Sequence, residues 1–228
     1  MNQYNRGGFF ASIPFVIRNI IGINALMLIL TMINREFMLE NFALFFPSSQ
    51  FFKPWQVITH IFMHGNFGHL LFNMYALWMF GSILEQLWGP KKFLLYYLVT
   101  GLGAAAMHMG VQWIEASSLV KEINENGMEA MGALSSYRML MNTPTVGASG
   151  AVYGILLAYG MLFPNNELRI IFLPIVLKAK YFVIIFAVIE LILGLVGGGN
   201  IAHFAHLGGM IFGFFLVRYW RKKNRLYY

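Results

Sequence analysis

Residues 142–154 read NTPTVGASGAVYG and set Ser149 between Gly147 and Gly150, with only Ala148 intervening. A serine hydroxyl is a weak nucleophile until a neighbouring base removes its proton. His206 can take that proton and later deliver it to a leaving amine. The oxyanion formed between those steps needs hydrogen-bond donors, which His69, Asn73 and the Ser149 backbone N–H can supply. Amide hydrolysis is the reaction these parts suit. The absence of cysteine excludes a thiol nucleophile, disulfides and thiolate metal sites. All nine acidic residues are glutamates, so a Ser-His-Asp triad is impossible.

Each of these residues also has a plainer reading. Hydroxyls are common in apolar helices, and Ser149 taken alone is a packing residue. His203 lies three residues before His206 and competes for the base role. Only His206 is followed by glycines at i+3 and i+7, Gly209 and Gly213, so His203 reads as structural or loop-facing. His60 and His64, four apart, would suit two metal ligands on one helix face. No cysteine or aspartate completes such a site and the HExxH pattern is absent. The reading is therefore no metal and no organic cofactor, with these histidines satisfying polar groups in a connection. His108 reads as a core residue. Glu190 sits inside an apolar run, where a carboxylate marks either a proton or ion path or a partnered structural group; the partnered reading is preferred.

The elements that position these residues follow from composition. Hydrophobic residues make up 58% of the 228 and charged residues 11%, against roughly 25% charged in a soluble domain. Mean hydropathy is +0.62, and several apolar runs approach or exceed the roughly 17–25 residues that cross a bilayer. The chain is predicted to be an all-α polytopic membrane protein, one domain over residues 1–228. Six spans are expected at about 16–33, 67–87, 93–113, 149–163, 181–195 and 202–220. The first is long for a signal core and lacks a cleavage site, so it reads as retained. The connection 34–66 is aromatic and broken by prolines, which suits the membrane interface. Residues 114–144 form a polar, methionine-containing insertion with room for a short amphipathic helix.

Charge sets the expected orientation. Lys91 and Lys92, then Arg169, Lys178 and Lys180, then the cluster of Arg218, Arg221, Lys222, Lys223 and Arg225 occupy alternate connections. The connection between spans three and four holds Glu115, Glu122, Glu125 and Glu129 against Lys121 and Arg138, and the one between five and six carries no charge. Under the positive-inside rule both termini are cytoplasmic. The net charge of +7 is explained by this pattern, and no nucleic-acid partner is implied.

Counting about 1.5 Å per residue from the cytoplasmic ends puts Ser149, His206 and Asn73 roughly 18–21 Å up, with His69 one turn higher. A helix that starts at Ser149 leaves water access above it. The irregular TPTVGA before it must be buried in protein or line a hydrated cavity. Gly150 and Gly154 on span four, and Gly209 and Gly213 on span six, make small-xxx-small faces that let backbones approach. That approach would bring Ser149 to His206, and Tyr153 could then pack on the imidazole. The GGG at 197–199 reads as a tight turn or a loosened top of span five.

Three stretches together resemble the rhomboid intramembrane serine proteases: GASG with Tyr153 four residues after the serine, HGNFGHLLFN from His64 to Asn73, and AHLGGMIFG from Ala205. Their order and their places on spans four, two and six match, over roughly the whole chain from span one to span six. Glu85 and Gly89 in ILEQLWG also match. The resemblance implies a Ser-His dyad of Ser149 and His206, with His69 and Asn73 lining the oxyanion hole. It implies transmembrane protein substrates, a lipid bilayer and a bacterial plasma membrane as surroundings. One departure is Trp55-Gln56, where the family often has Trp-Arg; this weakens a structural interaction in the first connection.

Overall fold

A lipid-immersed backbone must satisfy its own hydrogen bonds, and helices do so within one segment. The computed structural model describes residues 12–169, 176–196 and 202–223. Ten helices run through them. They are α1 (Phe15–Ile33), α2 (Arg35–Phe42), α3 (Gln56–Thr59), α4 (Phe67–Ala76), α5 (Ser82–Trp88), α6 (Pro90–Asn126), α7 (Met131–Asn142), α8 (Ser149–Leu162), α9 (Ala179–Val196) and α10 (Ala202–Lys222). A π-helical turn, Leu77–Gly81, joins α4 to α5 in one continuous element. Strands β1 (Glu167–Arg169) and β2 (Val176–Lys178) pair antiparallel between α8 and α9. Four of these elements are long and apolar enough to cross a membrane: α1, α4 through α5, α6 and α9. Helix α8 is apolar but shorter, and α10 ends in Arg218, Arg221 and Lys222. This is an all-α polytopic membrane fold. The GGG at 197–199 lies outside the described residues.

The third run departs from its expected end at residue 113. Helix α6 continues to Asn126, 37 residues in all, or about 55 Å. Its extension, IEASSLVKEINEN, has no glycine or proline, and Lys121 and Glu125 pair at i,i+4. Gly127, at φ 56°, ends it. The insertion is thus a helical hairpin with α7 rather than one short helix. Ala116, Leu140 and Met141 pack on Phe46 from the first connection.

The middle of the bundle is α6, α8 and α10 packed against one another. Their facing sides carry Thr100, Gly103 and Ala104, then Gly150 and Gly154, then Gly208, Gly209 and Gly213. Lipid provides no hydrophobic drive between helices, so close backbone contact must hold them. Helix α9 lies at the edge. Its Ile184, Val188, Ile192 and Leu195 are exposed, as suits a lipid-facing helix. Glu85 on α5 accepts the backbone N–H groups of Val16 (2.9 Å) and Ile17 (3.0 Å). It thereby caps α1, whose own first turn holds no acidic residue, and favours the positive end of that helix dipole.

Gln56 plays a larger part than its expected weakening role. It is fully buried. Its Oε1 accepts from the backbone N–H of Phe45 and Lys53, and its Nε2 donates to the carbonyls of Glu40 and Phe51. One neutral amide therefore ties the first connection together.

Candidate active site

Helix α8 begins at Ser149 because the chain before it is held by other partners. Leu44 and Thr145 form an antiparallel bridge, with N–H to O distances of 2.9 and 2.8 Å. The Gly147 N–H donates to the His60 carbonyl at 3.0 Å, and the Thr145 hydroxyl lies 2.7 Å from His108 Nε2. Thr145 and Gly147 thus find backbone partners within the protein, which irregular backbone away from water requires. Gly147 has φ 140°, a region that side-chain-bearing residues avoid. A β-carbon there would lie 3.0 Å from His69 Cε1 and 3.4 Å from Ser149 Oγ, so this glycine keeps the space between those two side chains.

His206 Nε2 lies 2.8 Å from Ser149 Oγ. The approach depends on backbone contact: a β-carbon on Gly209 would overlap the Gly150 carbonyl. Gly150 in turn sits against Ala104, and Gly213 against the Tyr96 hydroxyl, which donates to the Gly154 carbonyl at 2.8 Å. The Tyr153 ring stacks on the His206 imidazole, 4.3 Å between centroids and 5° from parallel. With Nε2 accepting the serine proton, the neutral imidazole must carry its own proton on Nδ1.

His69 and Asn73 stand on α4, whose first turn is capped by Asn66 Oδ1 accepting the His69 N–H at 2.8 Å. Both line one cavity of about 480 Å³ with Ser149 and His206. One N–H of the Asn73 amide is engaged with the His69 carbonyl at 2.9 Å. Phe72, Met79, Phe80, Phe182 and Phe186 make the cavity largely apolar. His64 stands edge-on to His69, 4.9 Å between centroids. In the connection before α4, burial pushes the His60 and His64 imidazoles down to about 4. They are neutral, and His60 Nδ1–H donates to the Gln56 carbonyl at 2.9 Å.

Glu190 joins this group. It is buried on α9, its Oε1 accepts from the Tyr153 hydroxyl, and its Oε2 accepts from His203 Nδ1 at 2.6 Å. His206 Nδ1 lies 3.0 Å from the same Oε2, at an angle oblique to its N–H, and makes no hydrogen bond there. Among the described residues, Glu190, His203 and His206 are also the one group whose ligand atoms gather closely enough to suggest a metal. Tetrahedral ligands at 2.0–2.1 Å from zinc stand roughly 3.3 Å apart. The 2.6 Å separation is hydrogen-bond spacing instead.

A rhomboid-domain family model matches residues 52–223. The chain belongs to the rhomboid family. It is 30% identical over 178 residues to RHOMBOID-like protein 12, mitochondrial, of Arabidopsis thaliana, covering 77% of this chain and 49% of that protein. It is 31% identical over 161 residues to Rhomboid protease GluP of Bacillus subtilis, covering 71% and 25%. The human presenilin-associated rhomboid-like protein, mitochondrial, is 30% identical over 179 residues, covering 74% and 39%. This rhomboid thus spans about half the length of these relatives, or less.

The structure brings Ser149, His206, Tyr153, His69 and Asn73 together in the lining of one cavity. It also adds two residues that the sequence reading had set aside, Glu190 and His203. The signal for them was present. A lone carboxylate in an apolar helix must find partners, and His203 shares a helix face with His206 at i,i+3.

Proposed function

We propose that this rhomboid is an intramembrane serine endopeptidase that cleaves peptide bonds in or near the transmembrane segments of other membrane proteins. The observation that carries the reading is the 2.8 Å contact between Ser149 Oγ and His206 Nε2, inside an apolar bundle and beside an open cavity. In the proposed reaction, Ser149 Oγ attacks the scissile carbonyl while its proton passes to His206 Nε2. His69, the free N–H of Asn73 and the first backbone N–H groups of α8 surround the developing oxyanion. His206 then protonates the leaving amine, and water repeats the sequence to free the acyl group.

The apolar lining of the cavity suits residues of a membrane-spanning substrate. A regular substrate helix shields its carbonyls, so segments with small or helix-weakening residues are the preferred class. The proposed setting is a bacterial plasma membrane, and the alternation of basic connections supports termini on its cytoplasmic side.

The test is cleavage of a transmembrane reporter by purified protein in liposomes, with Ser149→Ala and His206→Ala alongside and a chelator control. Cleavage lost in both variants and indifferent to chelator supports the reading. Equal cleavage by wild type and Ser149→Ala sinks it. Binding of membrane proteins without cleavage by any folded variant would favour an escort protein on the same scaffold.

A further inference from the structure

We propose that Glu190 is a positioning residue for His206. It would give this site a third, carboxylate member from α9, and the inference rests on the Ser149–His206 reading above. Three observations carry it. The first is proton bookkeeping: Ser149 occupies Nε2, so the His206 proton sits on Nδ1, the nitrogen that lies 3.0 Å from Glu190 Oε2. The second is anchoring. Tyr153 holds Oε1 through its hydroxyl while its ring stacks flat on the imidazole, so one side chain fixes both the carboxylate and the plane of the base. The third is that His203 holds Oε2 at 2.6 Å, which keeps that oxygen beside His206.

The oblique approach fits a carboxylate that acts when charge arrives. A ring stacked 5° from parallel can turn in its own plane without leaving the tyrosine face. When the serine proton reaches Nε2, the imidazole becomes cationic and is drawn to Oε2. That turn aligns Nδ1–H with the carboxylate. Nothing else changes hands: the serine O–H bond breaks, the Nε2–H bond forms, Nδ1 keeps its proton and Glu190 stays ionised. The groups facing His206 are Ser149 and Tyr153 from α8, Glu190 from α9, His203 from its own helix and His69 from α4. Among the described residues, Glu190 is the one acid in this group.

The experiment uses the full chain in liposomes with the transmembrane reporter, chelator present throughout. Wild type, Ser149→Ala, His206→Ala, Glu190→Gln and Glu190→Asp are compared for kcat, KM, thermal stability and the pH dependence of kcat/KM. An aligned triad carboxylate is worth about 10⁴ in kcat; for this shared, oblique one we expect a loss of about 10² in Glu190→Gln with KM nearly unchanged. The acid limb of the profile should move to lower pH, because a carboxylate favours the charged imidazole and its loss does the reverse. Glu190→Asp, which keeps the charge but withdraws it, should recover part of the rate and part of the shift. Wild-type kcat and an unmoved acid limb in Glu190→Gln, with Ser149→Ala and His206→Ala inactive, would overturn this inference and leave the protease reading standing. Activity in Ser149→Ala would overturn both.

A second measurement needs no Glu190 variant to fold. Histidine-labelled wild type at mildly acidic pH should show a strongly deshielded Nδ1–H that vanishes in His206→Ala. A shift ordinary for a solvated imidazolium would also overturn the inference.

Discussion

Adding one methyl at Gly209 should separate the serine from its base. A β-carbon at this position would overlap the Gly150 carbonyl, where ordinary contact begins near 3.4 Å. The obstacle is backbone, so no side chain can swing aside, and α8 and α10 must part by roughly 1 Å or more. Ser149 and His206 ride on those two helices at 2.8 Å. Parting takes them to roughly 4 Å, beyond the 2.6–3.2 Å reach of proton transfer. A misplacement of about 1 Å costs on the order of 10²-fold in rate, and overpacking adds about 1–3 kcal/mol of destabilisation. The assay is reporter cleavage in liposomes under saturating substrate, with thermal unfolding measured on the same preparations. Gly110→Ala on α6 is the control, since a β-carbon there meets nothing within 4 Å. Gly209→Ala that keeps half or more of the wild-type kcat would refute the claim that backbone contact sets the serine–histidine distance.

Three further outcomes can be checked by equilibrium unfolding in detergent. Gln56→Ala leaves four backbone groups without their partner and should cost about 3 kcal/mol; a loss under about 1 kcal/mol would show that water replaces the amide. Glu85→Ala removes two charge-assisted hydrogen bonds from the start of α1 and should cost about 3 kcal/mol, with earlier proteolysis of α1; unchanged stability would refute the capping role. Acid should weaken the fold through His60 and His64. Their folded values lie near 4 against about 6.5 unfolded, so the unfolded chain takes protons first as pH falls. Their contribution is complete above about pH 6.5 and is lost between there and pH 4, up to about 3 kcal/mol each. A flat stability curve over that window, or one unaltered by His64→Phe, would contradict it.

What was legible in the sequence was whatever depends on local pattern. Apolar runs at about 149–163 and 202–220 locate helices because hydrophobic length and helix rise are properties of a segment. The glycines at Gly150, Gly154, Gly209 and Gly213 mark contact faces because only a missing side chain allows such approach. The end of α6 was missed for the converse reason. Residues 114–126 are polar, but polarity limits membrane burial and not helix formation. With no breaker before Gly127, the helix simply continues past the end of the apolar run.

The sequence by itself determined the chemical inventory of this rhomboid: a serine at a helix start, a histidine over two glycines, no cysteine, no aspartate and two carboxylates inside the apolar runs, Glu85 near the end of one and Glu190 in the middle of another. The tertiary structure decided who meets whom. Glu190 is 41 residues after Ser149 and 16 before His206, and its periodicity on α9 does not say which neighbour it faces. That depends on the rotation and crossing of α9 against α8 and α10, which are set by packing over the whole interface. Gln56 is the same case on a smaller scale. Its type announces a donor and an acceptor, but the four backbone groups it satisfies, from Glu40 to Lys53, are brought to it only when the first connection folds back on itself.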